Sequence, residues 1–148
     1  TRGMLATVLH RLAGNPAVRM NQAFIDITED KYYYEAVNWG AQSGIISGIG
    51  DNRFAPEESI SRQDLAALLM RYADLSAKQF PVTLQYIQFS DDAQIADYAK
   101  TAVETLYRGG IVSGRLAPSQ GSNIFDPAGT ATRAEVSSML HRFAETLR

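Results

Sequence analysis

The sequence has no cysteine in its 148 residues, which excludes disulfides and thiolate metal sites. That absence fits a cytoplasm or a bacterial exterior equally well. No apolar run is long enough to span a bilayer, so no membrane insertion is expected. Neither sign of charge dominates. Lys and Arg number 14 against 16 Asp and Glu, a net charge of −2. Such a balance gives no reason to expect nucleic acid or an anionic membrane as partner. Catalytic signatures are missing too: no nucleophile elbow, no Gly-rich phosphate loop before a helix, no His–Glu metal motif. The two histidines, His10 and His141, have no further ligands arranged around them, so neither a metal site nor a cofactor is expected. No signal peptide is present, and Thr1 already lies within a repeated pattern. The chain reads as a piece of something longer.

What is present is a repeat. Thr132-Arg133-Ala134-Glu135 opens an amphipathic stretch. Ser61-Arg62-Gln63-Asp64 and Thr1-Arg2-Gly3-Met4 open two more. Each Ser or Thr is an N-cap candidate. Ser61 with Asp64, and Thr132 with Glu135, have the spacing of a capping box, whereas Met4 breaks it in the first copy. Apolar residues then recur at helical spacing. The stripes are Leu5, Val8, Leu12; Leu65, Leu68, Tyr72; and Val136, Met139, Phe143. Three copies of one such helix suggest a mostly all-α, pseudo-threefold bundle in which each stripe covers the other two.

Two longer units surround the second and third helices. Residues 24–75 run through Phe24-Ile25-Asp26, a short helix over Glu35–Ser43 containing Trp39, Gly44-Ile45-Ile46-Ser47-Gly48, and Phe54-Ala55-Pro56 to the Ser61 helix. Residues 89–146 repeat that order: Phe89-Ser90-Asp91, a helix over Ala99–Arg108, Gly110-Ile111-Val112-Ser113-Gly114, and Phe125-Asp126-Pro127. Residues 1–14 hold only the second half of a repeat. Linkers are expected over Asn15–Ala23 and 76–88, with a short strand at Val82–Ile87 and a polar loop at Ser119–Asn123. Hydrophobic residues make up 45% of the chain, enough for a real core in one domain spanning 1–148.

This ordered set resembles the S-layer homology repeat of bacterial surface proteins. The resemblance implies a pseudo-trimer of repeats that holds a secreted parent protein on a Gram-positive-type cell wall. It implies a secondary cell-wall polysaccharide as ligand, often carrying a pyruvate ketal on N-acetylmannosamine. It also implies that the Arg of the Thr-Arg-Ala-Glu motif meets that ligand in grooves between repeats. Carried onto this sequence, those residues are Arg2, Arg62 and Arg133. The chemistry is sound, because a guanidinium offers a carboxylate two parallel N–H donors. The free N–H groups of a helix start add attraction for an anion. Asp26 and Asp91 are candidates to accept sugar hydroxyls or to cap turns. Trp39 is a candidate either to stack on a sugar face or to pack in the core against the turn residues. Gly48 and Gly114 would let backbone approach the ligand. Arg11, Arg71 and Arg142 recur near the helix C-termini, where a cation suits the dipole, and read as structural.

The sequence departs from the family pattern at Gly3-Met4, at Ser61-Arg62-Gln63-Asp64, at Thr105 or Leu106 where Trp39 stands, and in the missing first half of repeat one. That last gap leaves room for self-association. A protein–protein assembly module is the alternative reading.

Overall fold

All three Ser/Thr caps start helices. The computed structural model describes residues 1–19, 21–117 and 121–147. Position 20 of the expected Asn15–Ala23 linker and positions 119 and 120 of the expected Ser119–Asn123 loop lie outside the described residues. Among those described, the chain is mostly helical. In chain order the elements are α1 (Arg2–Leu12), α2 (Tyr34–Gln42), α3 (Arg62–Leu75), a 3₁₀ turn (Asp92–Gln94), α4 (Asp97–Arg108), β1 (Arg115–Leu116), β2 (Asn123–Ile124) and α5 (Arg133–Thr146). The two strands form a small antiparallel hairpin pairing Arg115 with Ile124 and Leu116 with Asn123.

The caps show why these helices begin where they do. The Oγ atoms of Thr1, Ser61 and Thr132 accept from the amides of Met4, Asp64 and Glu135 at 3.3, 3.1 and 3.3 Å. Only Thr132 has a full carboxylate box, since Glu135 reaches back to the Thr132 N–H at 2.9 Å. Asp64 is one methylene shorter and bonds the Ser61 hydroxyl instead, at 2.7 Å. Met4 offers only its thioether, 3.7 Å from the Thr1 nitrogen. The short helices end alike. Gly44 and Gly110 take φ of +75° and +72°, which L side chains rarely adopt. The amides of Ile45 and Ile46 then return to the Gly40 carbonyl at 2.9 Å, and those of Ile111 and Val112 to Leu106 at 2.8 and 3.2 Å.

The chain folds as two compact units, Thr1–Ser59 and Ile60–Arg148. In the first, α1 packs on α2. Leu5, Leu9, Val37 and Ile45 are its fully buried centre. In the second, α3 packs on α4. Leu65, Leu69, Val103, Leu106 and Ile111 are buried there, with Phe143 of α5 edge-on to Tyr72 at 5.8 Å. Each such side chain contributes about 1.5–3 kcal/mol on burial. The packing frame is therefore offset from the repeat frame. A helix that closes one repeat packs on the first half of the next.

Two expectations need correction. Val8 and Leu12 are each 39% exposed, so the α1 stripe is carried by Leu5 and Leu9 instead. Residues 82–87 are not a strand. The Thr83 and Leu84 amides both donate to the Arg108 carbonyl, which ties the segment to the end of α4 rather than to a ladder.

Candidate functional site

Arg2 and Arg62 occupy matching seats. Arg2 Nε donates to the Phe54 carbonyl at 2.8 Å and Nη2 to Ser47 at 3.2 Å, with the guanidinium 4.7 Å from the Phe54 ring. Arg62 Nε donates to the Phe125 carbonyl at 2.7 Å and Nη2 to Ser113 at 2.6 Å, 5.0 Å from the Phe125 ring. The backbone repeats the match. The amides of Arg2 and Gly3 donate to Glu58 and Pro56, and those of Arg62 and Gln63 to Gly129 and Pro127. The helix-start N–H groups expected to attract an anion are thus already satisfied at α1 and α3. Arg62 is buried and also donates from Nη1 to Glu135 Oε1 at 2.7 Å. Every nitrogen of its guanidinium has a protein acceptor.

The Asp candidates hold backbone. Asp26 accepts from the amides of Phe54 and Ala55 at 2.9 and 2.8 Å. Asp91 accepts from Phe125 and Asp126, both at 2.7 Å. Ala55 and Asp126 stand at φ of +56° and +57°, a conformation that costs a non-Gly residue about 1–3 kcal/mol. Two charge-assisted bonds offset that cost. Burial works to raise the Asp26 pKa, yet the Phe54 and Ala55 amides, with Arg53, bring it below the ordinary value. Gly48 and Gly114 are both crowded by the fold itself. A Cβ on Gly48 would meet the Arg53 carbonyl at 2.6 Å and Phe24 Cε1 at 2.8 Å, and one on Gly114 would meet the Asn123 side chain first and then Phe89 Cε1 at 2.8 Å. Trp39 is only 8% exposed and lies 5.2 Å from the His10 ring, so it is core and offers no open platform.

Around Arg62 the second unit concentrates charge. Arg115 donates to Glu135 Oε1 and Oε2 at 2.7 and 2.6 Å and to Asp126 at 2.5 Å. Beside this network is a cavity of about 70 Å³ lined by Arg62, Ile111, Ser113, Glu135, Ser138, Met139 and Arg142. It is large enough for a carboxylate or a hydroxymethyl group, roughly two waters' worth of space. The cavity's own lining carries Arg62 and Arg142 against the single carboxylate of Glu135. Arg142 donates only to the Gly110 carbonyl, at a long 3.4 Å, among the described residues. Of the cavity's two arginines it is the one with donors to spare.

The model of the S-layer homology domain matches residues 23–66 and 88–137. The chain belongs to the S-layer homology family. Members of this family are cell-surface anchoring modules of bacterial S-layer proteins and surface enzymes. The chain is 29% identical to an exoglucanase of Acetivibrio thermocellus over 98% of its own length and 13% of that protein's. It is 30% identical to an amylopullulanase of Thermoanaerobacterium thermosulfurigenes over 98% of its length and 8% of the relative's. It is 24% identical to a surface-layer 125 kDa protein of Lysinibacillus sphaericus over 84% of its length and 10% of the relative's. It therefore spans a small fraction of these relatives. No helix among the described residues is long and apolar enough to cross a membrane.

Within this S-layer homology domain the three motif arginines divide. Arg2 and Arg62 are seated on backbone carbonyls, while Arg133 is exposed. Arg142, read from the sequence as a structural cation near a helix C-terminus, lines the cavity beside Arg62.

The Glu135 network sets an acid limit. Hydrogen bonding from Arg115 outweighs burial and, with Thr132 and Arg62, holds the Glu135 carboxyl down to about 2, against an ordinary 4.5. A folded-state pKa below the unfolded value stabilises the fold above the unfolded pKa. The contribution is lost as pH falls from about 4.5 to about 2. Allowing for solvent at the partly exposed carboxylate, we expect about 1–2 kcal/mol over that window. Urea unfolding at pH 6, 4 and 3 checks it. Glu135→Gln should be less stable at pH 6 and flatter with pH. Parallel pH profiles for the two chains would contradict the assignment.

Proposed function

We propose that this domain is a non-covalent anchor that binds secondary cell-wall polysaccharide and holds a secreted parent protein on the bacterial wall. The pseudo-threefold arrangement of repeats belongs to the same reading. The observation that carries it is the cationic cavity between Ser113 and α5, where Arg142 has unused donors and the Ser113 and Ser138 residues offer polar contacts. A pyruvate ketal carboxylate is planar, anionic and small enough for that space. In this reading Arg142 meets the carboxylate directly, through the two-pronged geometry of a guanidinium. Arg62 forms the charged wall behind it. Asp26, Asp91, Gly48, Gly114 and Trp39 act through the fold, and Arg2 through the seat it shares in form with Arg62.

Arg142→Ala should lower affinity for purified wall polysaccharide roughly tenfold to a hundredfold, the worth of one charge-assisted hydrogen bond. Arg142→Lys should recover part of it, since an ammonium keeps the charge and loses the fork. Melting temperature should barely move, because Arg142 is exposed. Unchanged affinity in Arg142→Ala, measured by calorimetry beside thermal unfolding, would remove this cavity from the ligand site.

A further inference from the structure

Glu135 is the one acid on the wall of the cavity beside Arg62, among the described residues. A bare carboxylate there would repel an anion arriving at Arg142. Its two oxygens are instead fully engaged. Oε1 accepts from Arg62 Nη1 and from Arg115 Nε, both at 2.7 Å. Oε2 accepts from Arg115 Nη2 at 2.6 Å and from the Thr132 amide and hydroxyl at 2.9 and 2.8 Å. Arg115 alone grips both oxygens, in the fork geometry that a guanidinium offers a carboxylate.

Arg115 is itself held in place. Nη1 donates to Asp126 at 2.5 Å, Nη2 donates to the Thr130 carbonyl at 3.1 Å, and the backbone pairs with Ile124 in the hairpin. It stands outside the cavity, whose lining does not include it. The sequence puts this arginine in one turn only. Gly44-Ile45-Ile46-Ser47-Gly48 is followed by Ile49, whereas Gly110-Ile111-Val112-Ser113-Gly114 is followed by Arg115. The glutamate is just as particular, since the third helical position is Met4 in α1 and Asp64 in α3. The carboxylate and the guanidinium that grips it thus occur together.

We propose that Arg115 makes this cavity selective for a carboxylate over a neutral group of the same shape, by neutralising Glu135 from outside the cavity. It is a positioning residue. It occupies the one acid on the wall, and the donors of Arg142 stay available to the ligand. The role rests on the cavity being the seat of the ketal carboxylate.

Acetate and acetamide test it, being equal in shape and different in charge. Each is titrated into the chain at fixed ionic strength while the amides of Ser113 and Ser138, two cavity residues, are followed by NMR. The parent chain should bind acetate more tightly than acetamide. Arg115→Gln should weaken acetate roughly tenfold and leave acetamide within about twofold, because the uncovered carboxylate acts on charge. In a Glu135→Gln background the same change should shift the acetate preference by less than about twofold, since nothing remains to neutralise. Arg115→Lys keeps the charge without the fork and guards against a variant that fails to fold. It should weaken acetate about two- to threefold and spare acetamide. A parent chain whose amides ignore acetate overturns the cavity as a carboxylate site, and this role with it. A parent preference that Arg115→Gln leaves intact overturns the role of Arg115 alone. So does an equal loss of both probes, or a loss of acetate that is as large in the Glu135→Gln background, either of which would make Arg115 merely structural.

Discussion

Arg62→Ala should cost the chain about 3–5 kcal/mol of stability, the loss usual for removing one partner from a buried charged network. Arg62 is 2% exposed. Burial pulls its pKa down and the neighbouring Arg115 acts in the same direction, yet an arginine stays charged throughout the ordinary pH range. It is held by the carbonyls of Phe125 and Ser113, by Glu135 and by the Phe125 ring. Removing it strands those acceptors and opens a void of side-chain size. Arg62→Met restores much of the volume but none of the donors, so most of the loss should remain. Arg2 has the same seat with fewer bonds and more solvent. Its Ala variant should cost only about 1–2 kcal/mol. Urea unfolding of the three variants ranks them. If Arg62→Ala loses less than about 1 kcal/mol, the guanidinium does not organise the second unit.

Asp91→Ala should cost nearly as much, about 3–4 kcal/mol. Asp91 is 8% exposed and accepts two backbone amides at 2.7 Å. Bonds to a charged acceptor contribute about 1.5–3 kcal/mol each, and the freed amides stay buried. The loss also releases the left-handed turn at Asp126. Asp91→Asn keeps one acceptor and turns an N–H toward an N–H, so it should recover less than half. Asp26 makes the same pair of bonds with slightly longer distances and more solvent around it. Asp26→Ala should therefore cost about 2–3 kcal/mol. An Asp91→Ala chain as stable as Asp26→Ala would mean that burial does not set the strength of the clamp.

Much of this architecture is local and could be read in advance. The caps at Thr1, Ser61 and Thr132, the ends at Gly44 and Gly110, and the extents of the short helices depend on residues within one or two turns. Family membership follows from the ordered motifs for the same reason. What could not be read is which half-repeat each helix meets. Arg62 and Phe125 are 63 positions apart, and nothing in a helical period reports such a pairing. That one gap left several readings open. Asp26 and Asp91 were candidates both for sugar contact and for turn capping, because the amides they hold lie 28 to 35 residues away. Gly48 and Gly114 were candidates for close backbone approach, and the atoms crowding them belong to Phe24, Arg53, Phe89 and Asn123. Trp39 could be core or platform because its His10 neighbour belongs to another helix. Arg142 reads as a dipole partner at a helix end, and across the fold it also lines a cavity with Arg62 and Ser113.

The central claim, that this S-layer homology domain reads the anionic group of a wall polysaccharide, is tested most directly by one comparison. Purified wall polysaccharide is titrated into the chain before and after mild acid removal of its pyruvate ketals. The account predicts saturable binding to the intact polymer, weakening as salt is added, and at least tenfold weaker binding to the stripped polymer. Equal binding to both polymers, or no binding to either, would contradict it.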